Sequence, residues 1–373
     1  MSLHPTDDAP DTSVLASPAP PRRRPTIRRR RASGIDWRFW SQSFWTVITL
    51  WIGWEFYRFV RYYETGAAGA PPTRPPGAES FLPISGLMGL RDWIATGILN
   101  HIHPAATVVI LLALISSILL KKSFCGWVCP VGLISEAVGS AGRKIHRWKG
   151  KLPRALDIPL RSLKYLLLLF FVWAILFQMS RQGLNAFIHS PYNKVADIKM
   201  LKFFTEIDST TLWTLGVLFG LGFIISGFWC RFLCPYGALT GLVSLLSPWK
   251  ITRKVSACID CDKCNIACPA HIPVARLHRV RSDECNACLA CVDVCPSTEA
   301  LHLSLPKTRA RLSRRATWIA VTAIFVTGIG LAMVTGHWQN TITSDEYARR
   351  IPEINNPKYQ HNRGEVPRYT PED

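Results

Sequence analysis

Eight cysteines in two identical runs constrain the fold of this chain more than any other feature. Each run has the spacing C-x2-C-x2-C-x3-C-P, over residues 258–269 and 285–296. In such a run the first three cysteines ligate one cubane, and the fourth ligates the other cluster. The spacing therefore predicts two 4Fe–4S clusters, one held by Cys258, Cys261, Cys264 and Cys295 and the other by Cys268, Cys285, Cys288 and Cys291.

Two other interpretations fit these eight cysteines less well. Paired zinc sites need four ligands in two pairs, not two runs of four. A disulfide framework needs no repeated spacing of this kind. We therefore predict a small α+β ferredoxin-like domain with two 4Fe–4S clusters over residues 250–305.

The other four cysteines form a second repeat, which is an aromatic-C-x3-C-P-x-G element at residues 124–132 and 229–237. The spacing within each pair predicts that both thiols share one helical face, and that the following proline ends the helix. If the repeats pack side by side, four thiols converge. They could hold a further iron–sulfur centre or Cu(I), act as a redox dithiol, or simply pack as small buried side chains. The residues are Cys125, Cys129, Cys230 and Cys234.

Long apolar stretches separate these motifs. The chain of 373 residues is 48% hydrophobic and only 18% charged, which is typical of a membrane protein. Five stretches approach the roughly 20 residues that cross a bilayer: 44–60, 104–120, 163–179, 212–229 and 318–336. A shorter stretch, 84–99, contains Arg91 and Asp92 and is predicted to be interfacial or re-entrant.

The distribution of basic residues predicts the orientation of these spans. The formal net charge is +19, and the basic residues lie beside apolar runs, which favours contact with anionic lipid over nucleic acid. With the amino terminus inside, the inner segments carry 30 Lys and Arg and the outer segments 11. The positive-inside rule then places the ferredoxin-like domain in the cytoplasm and the carboxyl terminus on the outer side of the membrane.

These observations predict a mainly α, polytopic protein of the inner membrane with an inserted ferredoxin-like domain. The predicted segments are a disordered basic cytoplasmic tail (1–36), a four-helix membrane region (37–249), the cluster domain (250–305), a fifth membrane helix (306–340) and a periplasmic tail (341–373). A cleaved signal peptide is the rival interpretation of the first apolar stretch. Its length, its aromatic content and the basic residues Arg58 and Arg61 favour a retained helix.

Other polar residues carry weaker signals. His101, His103 and His189 could bind haem or a quinone headgroup, although isolated interfacial histidines are usually just hydrogen-bonded. The ionisable residues Glu55, Arg58, Arg61 and Glu64 stay unassigned, because snorkelling and helix-face pairing explain them equally well. The sequence has no P-loop, G-x-G-x-x-G motif or nucleophile elbow. It therefore predicts neither a nucleotide or flavin site nor a catalytic side chain.

The motifs F-C-G-W-V-C-P and W-C-R-F-L-C-P-Y-G-A-L, followed by L-L-S-P-W-K-I and the two cysteine runs, resemble the NapH/NosR/CcoG group of membrane polyferredoxins. Within this group the chain resembles the YccM type, through R-Y-Y-E-T, L-P-I-S-G-L-M and the fifth span with its short tail. The resemblance covers about residues 37–350 and implies a membrane redox module that oxidises quinol or exchanges electrons with a periplasmic system. The sequence has no counterpart of the flavin domain of the NosR type, and its outer tail is predicted to be too short for the folded terminal domain of the copper-reducing type.

Three functional hypotheses follow. The first is a relay of single electrons through two 4Fe–4S clusters, between the quinone pool or a membrane partner and a redox partner. The second is a copper-binding metal reductase or assembly factor that uses the C-x3-C-P thiols. The third treats the clusters as structural staples of an interaction scaffold. The sequence does not decide the direction of electron flow or the oligomeric state.

Overall fold

The computed structural model describes residues 36–66, 69–146, 152–306, 308 and 310–360, and these residues are mostly helical. The predicted basic tail therefore lies almost entirely outside the described residues, as does the end of the predicted periplasmic tail. The helices are α1 (Trp37–Thr65), α2 (Pro83–Thr96), α3 (Pro104–Leu120), α4 (Ser123–Trp127), α5 (Pro130–His146), α6 (Arg154–Trp173), α7 (Arg181–Ile188), α8 (Pro191–Lys194), α9 (Ala196–Thr205), α10 (Ser209–Ile224), α11 (Pro235–Val243), α12 (Lys263–Ile266), α13 (Ala290–Asp293), α14 (Arg314–Val334) and α15 (Ser344–Arg350).

Shorter helical segments connect these elements. Two are π-helical, Ala174–Gln178 after α6 and Trp229–Leu233 before α11. The 3₁₀ segments are Pro76–Phe81, Ser244–Leu246, Val255–Ala257, Val274–Arg276 and Pro357–Tyr359. The second π-helix contains Cys230, so an irregular backbone lies at one of the predicted thiol pairs.

Some helices are long and apolar enough to cross a membrane. Within the described residues, two segments qualify by length and composition, Ala155–Gln178 and Arg314–Val334, and the bent pair Ala196–Thr205 and Ser209–Ile224 would make a third. The helices Pro104–Leu120 and Pro235–Leu246 are apolar but shorter. A helical membrane protein is thereby confirmed, and five spans remain a prediction.

Side-chain caps begin several of these helices. The Asp36 carboxylate accepts hydrogen bonds from two backbone amides in the first turn of α1. Asp208 and Ser313 cap α10 and α14 in the same way, and Pro104 is the first residue of α3. Caps of this kind satisfy amide groups that have no partner inside the helix. The local sequence therefore determines where the helices begin.

A buried charged network lies at the end of the helices where α3 begins. Glu79 and Asp197 are fully buried, and the Arg74 guanidinium lies 2.9 Å from Glu79 Oε1 and 2.5 Å from Asp197 Oδ2. Glu79 also accepts a hydrogen bond from the Ala105 amide in the first turn of α3, at 3.1 Å. Buried charges are retained when they are paired in this way. The network ties α3 and α9 to the loop that precedes α2.

At the opposite end of α3, the segment between α11 and α14 forms a small sheet. Its strands β1 (Lys250–Arg253), β2 (Leu301–Ser304) and β3 (Arg311–Leu312) pair antiparallel in the order β1-β2-β3. Ile251 lies opposite Leu303, and Leu303 lies opposite Leu312. Alternate side chains of β2 are buried, as expected when one face of a sheet covers a core. The sheet includes residues beyond 305, the predicted end of the domain.

Candidate iron–sulfur site

The cysteines of the two runs line two separate cavities in the loops between β1 and β2. We call the first cavity site A, lined by Cys258, Cys261, Cys264 and Cys295. The second is site B, lined by Cys268, Cys285, Cys288 and Cys291. These are the two sets that the crossed spacing predicts. The fourth cysteine of each run therefore lies with the first three cysteines of the other run.

The backbone on either side of the middle cysteine of each run has the same unusual conformation. Asp260 and Asp262 flank Cys261 with φ angles of 51° and 55°, and Ala287 and Leu289 flank Cys288 with 50° and 60°. Residues other than glycine rarely adopt positive φ. Such residues cost about 1–3 kcal/mol each and cluster at functional sites. The shared strain supports both loops as ligand-binding loops.

The two sites differ in their exposure to solvent. In site A, Cys261 is exposed and Cys258 and Cys295 are half-buried, whereas in site B only Cys285 is not fully buried. Burial raises the pKa of the Cys268 thiol to about 11. Because ligands must be thiolates, loading site B has to release protons from such thiols. Site B is therefore the interior site of the domain, and site A faces outward.

The four cysteines of the C-x3-C-P elements also lie together. We call this group site C, and it lines one side of a cavity of about 510 Å³ that extends between α1, α3 and α14. Burial raises the pKa of the Cys230 thiol to about 12. The residues of site C are Cys125, Cys129, Cys230 and Cys234.

The prediction that each pair shares one helical face is wrong. Cys125 lies in α4, but α4 ends at Trp127, before Cys129. Cys230 lies in the π-helix that ends at Leu233, before Cys234. The prolines that follow each pair are the first residues of α5 and α11, a position where the missing amide proton costs nothing. A helix therefore ends between the two thiols of each pair.

Backbone amides at the start of the next helix point at the second thiol of each pair. The Gly237 amide donates to Cys234 Sγ at 3.3 Å, so this cysteine is the N-cap of α11. A hydrogen bond from the Gly132 amide likewise lowers the pKa of the Cys129 thiol, although burial outweighs it and the net shift is upward. Amides at a helix N-terminus stabilise negative charge. Both repeats are therefore built to hold a thiolate at the same place.

The loop that carries Cys285 and Cys288 is docked onto the helices. Lys121 Nζ and Trp127 Nε1 donate to the carbonyls of Ser282 and Ala287, at 2.9 and 3.1 Å. From α6, the Lys164 ammonium pairs with Glu284 and the Tyr165 hydroxyl donates to Asp283. The wall of the site C cavity includes Pro269, Ala270, Glu284 and Asn286, which flank the ligands of site B. Site B therefore adjoins site C, whereas no cysteine of site A lines this cavity.

Several cations that the sequence analysis did not single out surround this junction. Lys121, Lys122 and Lys164 are buried, and so is Arg38, which pairs with Glu136 and donates to the Gly126 carbonyl at 3.0 Å. Their burial is decided by tertiary packing, so no spacing signal could have found them. Lysines next to a cysteine motif are the only hint in the sequence, at Lys121 and Lys122.

The donor sets fit iron–sulfur clusters better than single ions. Sites A and B each have four cysteines around one small cavity, which is the ligand set of a 4Fe–4S cluster. Within the described ranges, no group of three or more His, Cys, Asp or Glu side chains could hold a metal ion. A zinc ion would instead hold each sulfur ligand at a Zn–S distance of about 2.3 Å. The cysteines of sites A and B therefore fit the ligand sets that two 4Fe–4S clusters would need.

The other residues that the sequence singled out lie outside these sites. His103 is buried, with Nε2 2.6 Å from the Asn193 carbonyl, and His189 Nδ1 lies 2.9 Å from the carbonyl of Asn185 in its own helix. The His101 ring stacks on that of His337, with ring centroids 6.2 Å apart. On α1, Glu55 pairs with Arg58 and Arg61 with Glu64, at 3.2 and 3.4 Å. Pairing within one helix accounts for the contacts of His189 and of the charged residues on α1, whereas His101 and His103 contact residues far away in the sequence.

Comparisons with known proteins agree with this geometry. A family model described as a 4Fe-4S binding domain matches residues 102–149 and 210–254, and one described as a 4Fe-4S dicluster domain matches residues 250–296. YccM of Escherichia coli, named as a proposed electron transport protein, is 44% identical over 326 residues, which cover 86% of this chain and 91% of YccM. No solved structure matches the chain.

More distant relatives cover parts of the chain. The protein NirI of Paracoccus denitrificans is 30% identical over 200 residues, which are 53% of this chain and 27% of that protein. The ferredoxin-type protein NapH of Haemophilus influenzae is 30% identical over 209 residues, covering 52% and 68%.

The helices, the cysteine sites and the two family models define a membrane electron-transfer protein with 4Fe–4S domains. At 44% identity over nearly the whole of both chains, the protein belongs to the YccM family. The resemblance drawn from the motifs is thereby confirmed.

Proposed function

We propose that this chain relays single electrons between the quinone pool, or a membrane partner, and a redox partner in the aqueous phase. The observation that carries the proposal is that one cavity is bordered both by the four thiols of site C and by residues that flank Cys268 and Cys285. A 4Fe–4S cluster, when bound, supplies one-electron chemistry. The protein supplies the thiolates, a buried environment and fixed charges.

The cysteines of site C are proposed to hold a further iron–sulfur centre, in addition to clusters at sites A and B. Both pairs fall within segments that match a 4Fe-4S binding domain. Amides at the starts of α5 and α11 favour thiolates at Cys129 and Cys234. The copper alternative has no matching family model, whereas both pairs lie in segments that match a 4Fe-4S binding domain.

The cavity beside site C is proposed to take a quinol headgroup. It is lined mainly by apolar side chains such as Ile48, Val109 and Phe325, with a few polar groups that include the Arg38–Glu136 pair. Pockets for small apolar ligands have this composition. A ring seated there would lie against the thiols of site C.

The proposed topology is five spans in a bacterial inner membrane, with the cluster domain in the cytoplasm. The apolar side chains of α1 support its role as the first span, because one face of this helix is exposed: Trp40, Phe44, Val47, Trp51 and Trp54 are each more than half accessible. An exposed apolar stripe of this length is typical of lipid contact.

The first test is metal analysis of protein purified anaerobically in detergent. We expect about twelve iron atoms per chain with matching sulfide, and about eight in the double variant Cys125→Ser/Cys230→Ser. About eight in the unsubstituted protein would exclude a 4Fe–4S centre at site C but leave sites A and B. Zinc in place of iron would contradict the whole proposal.

The quinol step is tested on the same preparation by adding a quinol and following the visible absorption of the clusters. Ile48→Trp narrows the cavity and should slow the reduction without loss of iron. The matched control is Val47→Trp, at the neighbouring position of α1, where the side chain does not line the cavity and is 64% exposed. This variant should react at the normal rate. Equal rates in both variants would contradict a quinol site in this cavity.

A further inference from the structure

Lys122 is a buried cation at the junction of sites B and C. Only 5% of the residue is accessible, and its side chain lines the cavity beside the four thiols of site C. Its Nζ atom lies 3.4 Å from where a Cβ on Gly237 would be, and the Gly237 amide donates to Cys234 Sγ. The ammonium is therefore next to the end of site C that carries Cys234.

The other buried cations at this junction have partners of their own. Lys121 donates to the Ser282 carbonyl, Lys164 pairs with Glu284, and Arg38 pairs with Glu136. Lys122 makes no hydrogen bond or ion pair with any residue that the structure describes. The nearest carboxylate, on Glu284, is already engaged by Lys164.

A buried ammonium without a counter-ion is costly, because removal from water is not repaid by attraction to an anion. Besides Glu284, which Lys164 already engages, the groups around Lys122 that can become anionic are the thiols of Cys125, Cys230 and Cys234. Four thiolates around a cluster give a centre of net negative charge. Such a centre would supply the anion that the Lys122 ammonium lacks in the protein alone.

We propose that Lys122 is the charge partner of the centre at site C and raises the reduction potential of that centre. This inference rests on the proposed iron–sulfur centre at site C. Reduction adds one electron and makes the centre more negative by one unit, while Lys122 keeps its proton. A fixed positive charge in a poorly polarisable environment stabilises the reduced form more than the oxidised form. Lys122 thus acts on the centre through its fixed charge, and it transfers neither an electron nor a proton.

The test is a redox titration of the clusters, followed by EPR, in Lys122→Met and the charge-preserving Lys122→Arg. In Lys122→Met we expect the equilibrium constant for reduction of the site C centre to fall at least tenfold. For one electron this lowers the reduction potential by about 59 mV. Lys122→Arg should remain close to the unsubstituted protein. If Lys122→Met does not insert into the membrane, the neutral Lys122→Gln is titrated in its place.

Lys121→Met is the matched control, because Lys121 is the adjacent residue and equally buried, but its ammonium already has a carbonyl partner near Cys285. It should leave the potential of the site C centre unchanged. An unshifted site C potential in the neutral Lys122 variants, at full iron content, would overturn the inference alone. If the unsubstituted protein holds no iron at site C, this result would instead contradict the proposed centre on which the inference rests.

Discussion

At the scale of single residues, the glycine of each C-P-x-G element is required to different degrees in the two repeats. A Cβ added to Gly132 would lie 2.6 Å from the carbonyl oxygen of Cys125, which is backbone and cannot move freely. A Cβ added to Gly237 would meet the Lys122 ammonium first, at 3.4 Å, at the end of a flexible side chain. The two repeats share a motif, but only the first needs glycine for its close backbone approach.

We therefore expect Gly132→Ala to destabilise the protein by about 1–3 kcal/mol through overpacking. Gly237→Ala should be near neutral, because the lysine can shift by a few tenths of an ångström. The measurement is thermal unfolding of the two variants in detergent. Gly216→Ala serves as the control, since nothing lies within 4 Å of a Cβ there. Equal losses at Gly132 and Gly237 would refute this account.

At the scale of secondary-structure elements, an ion pair connects α6 to the loop that carries the site B cysteines. Lys164 is fully buried in α6, and the Glu284 side chain, one residue before Cys285, is 7% exposed. Removal of one partner from such a pair leaves an uncompensated buried charge, whereas removal of both leaves none. The pair therefore makes the position of the loop depend on α6.

We expect Lys164→Met to cost about 3–5 kcal/mol of stability and to release iron from site B. The double variant Lys164→Met/Glu284→Gln should recover part of that loss, because the orphaned carboxylate is gone. Thermal unfolding and iron content of the single and double variants give the coupling energy. A double variant that is less stable than Lys164→Met alone would count against the pairing.

Arg91 illustrates how one residue connects two elements. In the sequence Arg91 interrupts an apolar stretch, which predicts an interfacial or re-entrant segment. In the structure it lies in α2, and its guanidinium donates to the carbonyls of Ile175 and Met179, the latter at 2.9 Å. These carbonyls lie at the π-helical end of α6, where helix acceptors lose their partners. Arg91 in α2 therefore supplies hydrogen-bond donors to backbone carbonyls at the end of another helix.

At the scale of the whole molecule, the proposed five spans put the two chain termini on opposite sides of the membrane. A fluorescent protein fused at the amino terminus or at residue 249 should fluoresce, because it folds in the cytoplasm. Alkaline phosphatase fused at residue 343 should be active, because it folds only in the periplasm. The prediction follows from the 30 to 11 distribution of basic residues and the positive-inside rule.

The reporters also count the spans. Fluorescence from a fusion at residue 343 would require an even number of spans and would remove one of the five. Activity of phosphatase fused at residue 249 would reverse the orientation of the cluster domain. Exchange of the two reporters at each position provides the internal control, since each site should give only one signal.

The sequence alone predicted the sets of cysteines that line sites A and B, and the class of the protein. The spacing is a local property, because residues 258–264 surround one cavity and residues 285–291 surround the other. The fourth cysteine of each run then lines the cavity of the other run. The apolar helix α3 was equally predictable, because the run 104–120 has a clear composition and a proline at its start.

Only the tertiary structure decided how the thiols of site C meet and which charges surround them. The two cysteine pairs lie in separate parts of the chain, so their meeting depends on how the helices around them pack. Lys121 and Lys122 are neighbours of the same residue type, yet one reaches a carbonyl and the other faces the thiols. The packing of the end of α3 near residues 237 and 282 decides which of the two lysines has a partner. No local sequence pattern encodes that packing.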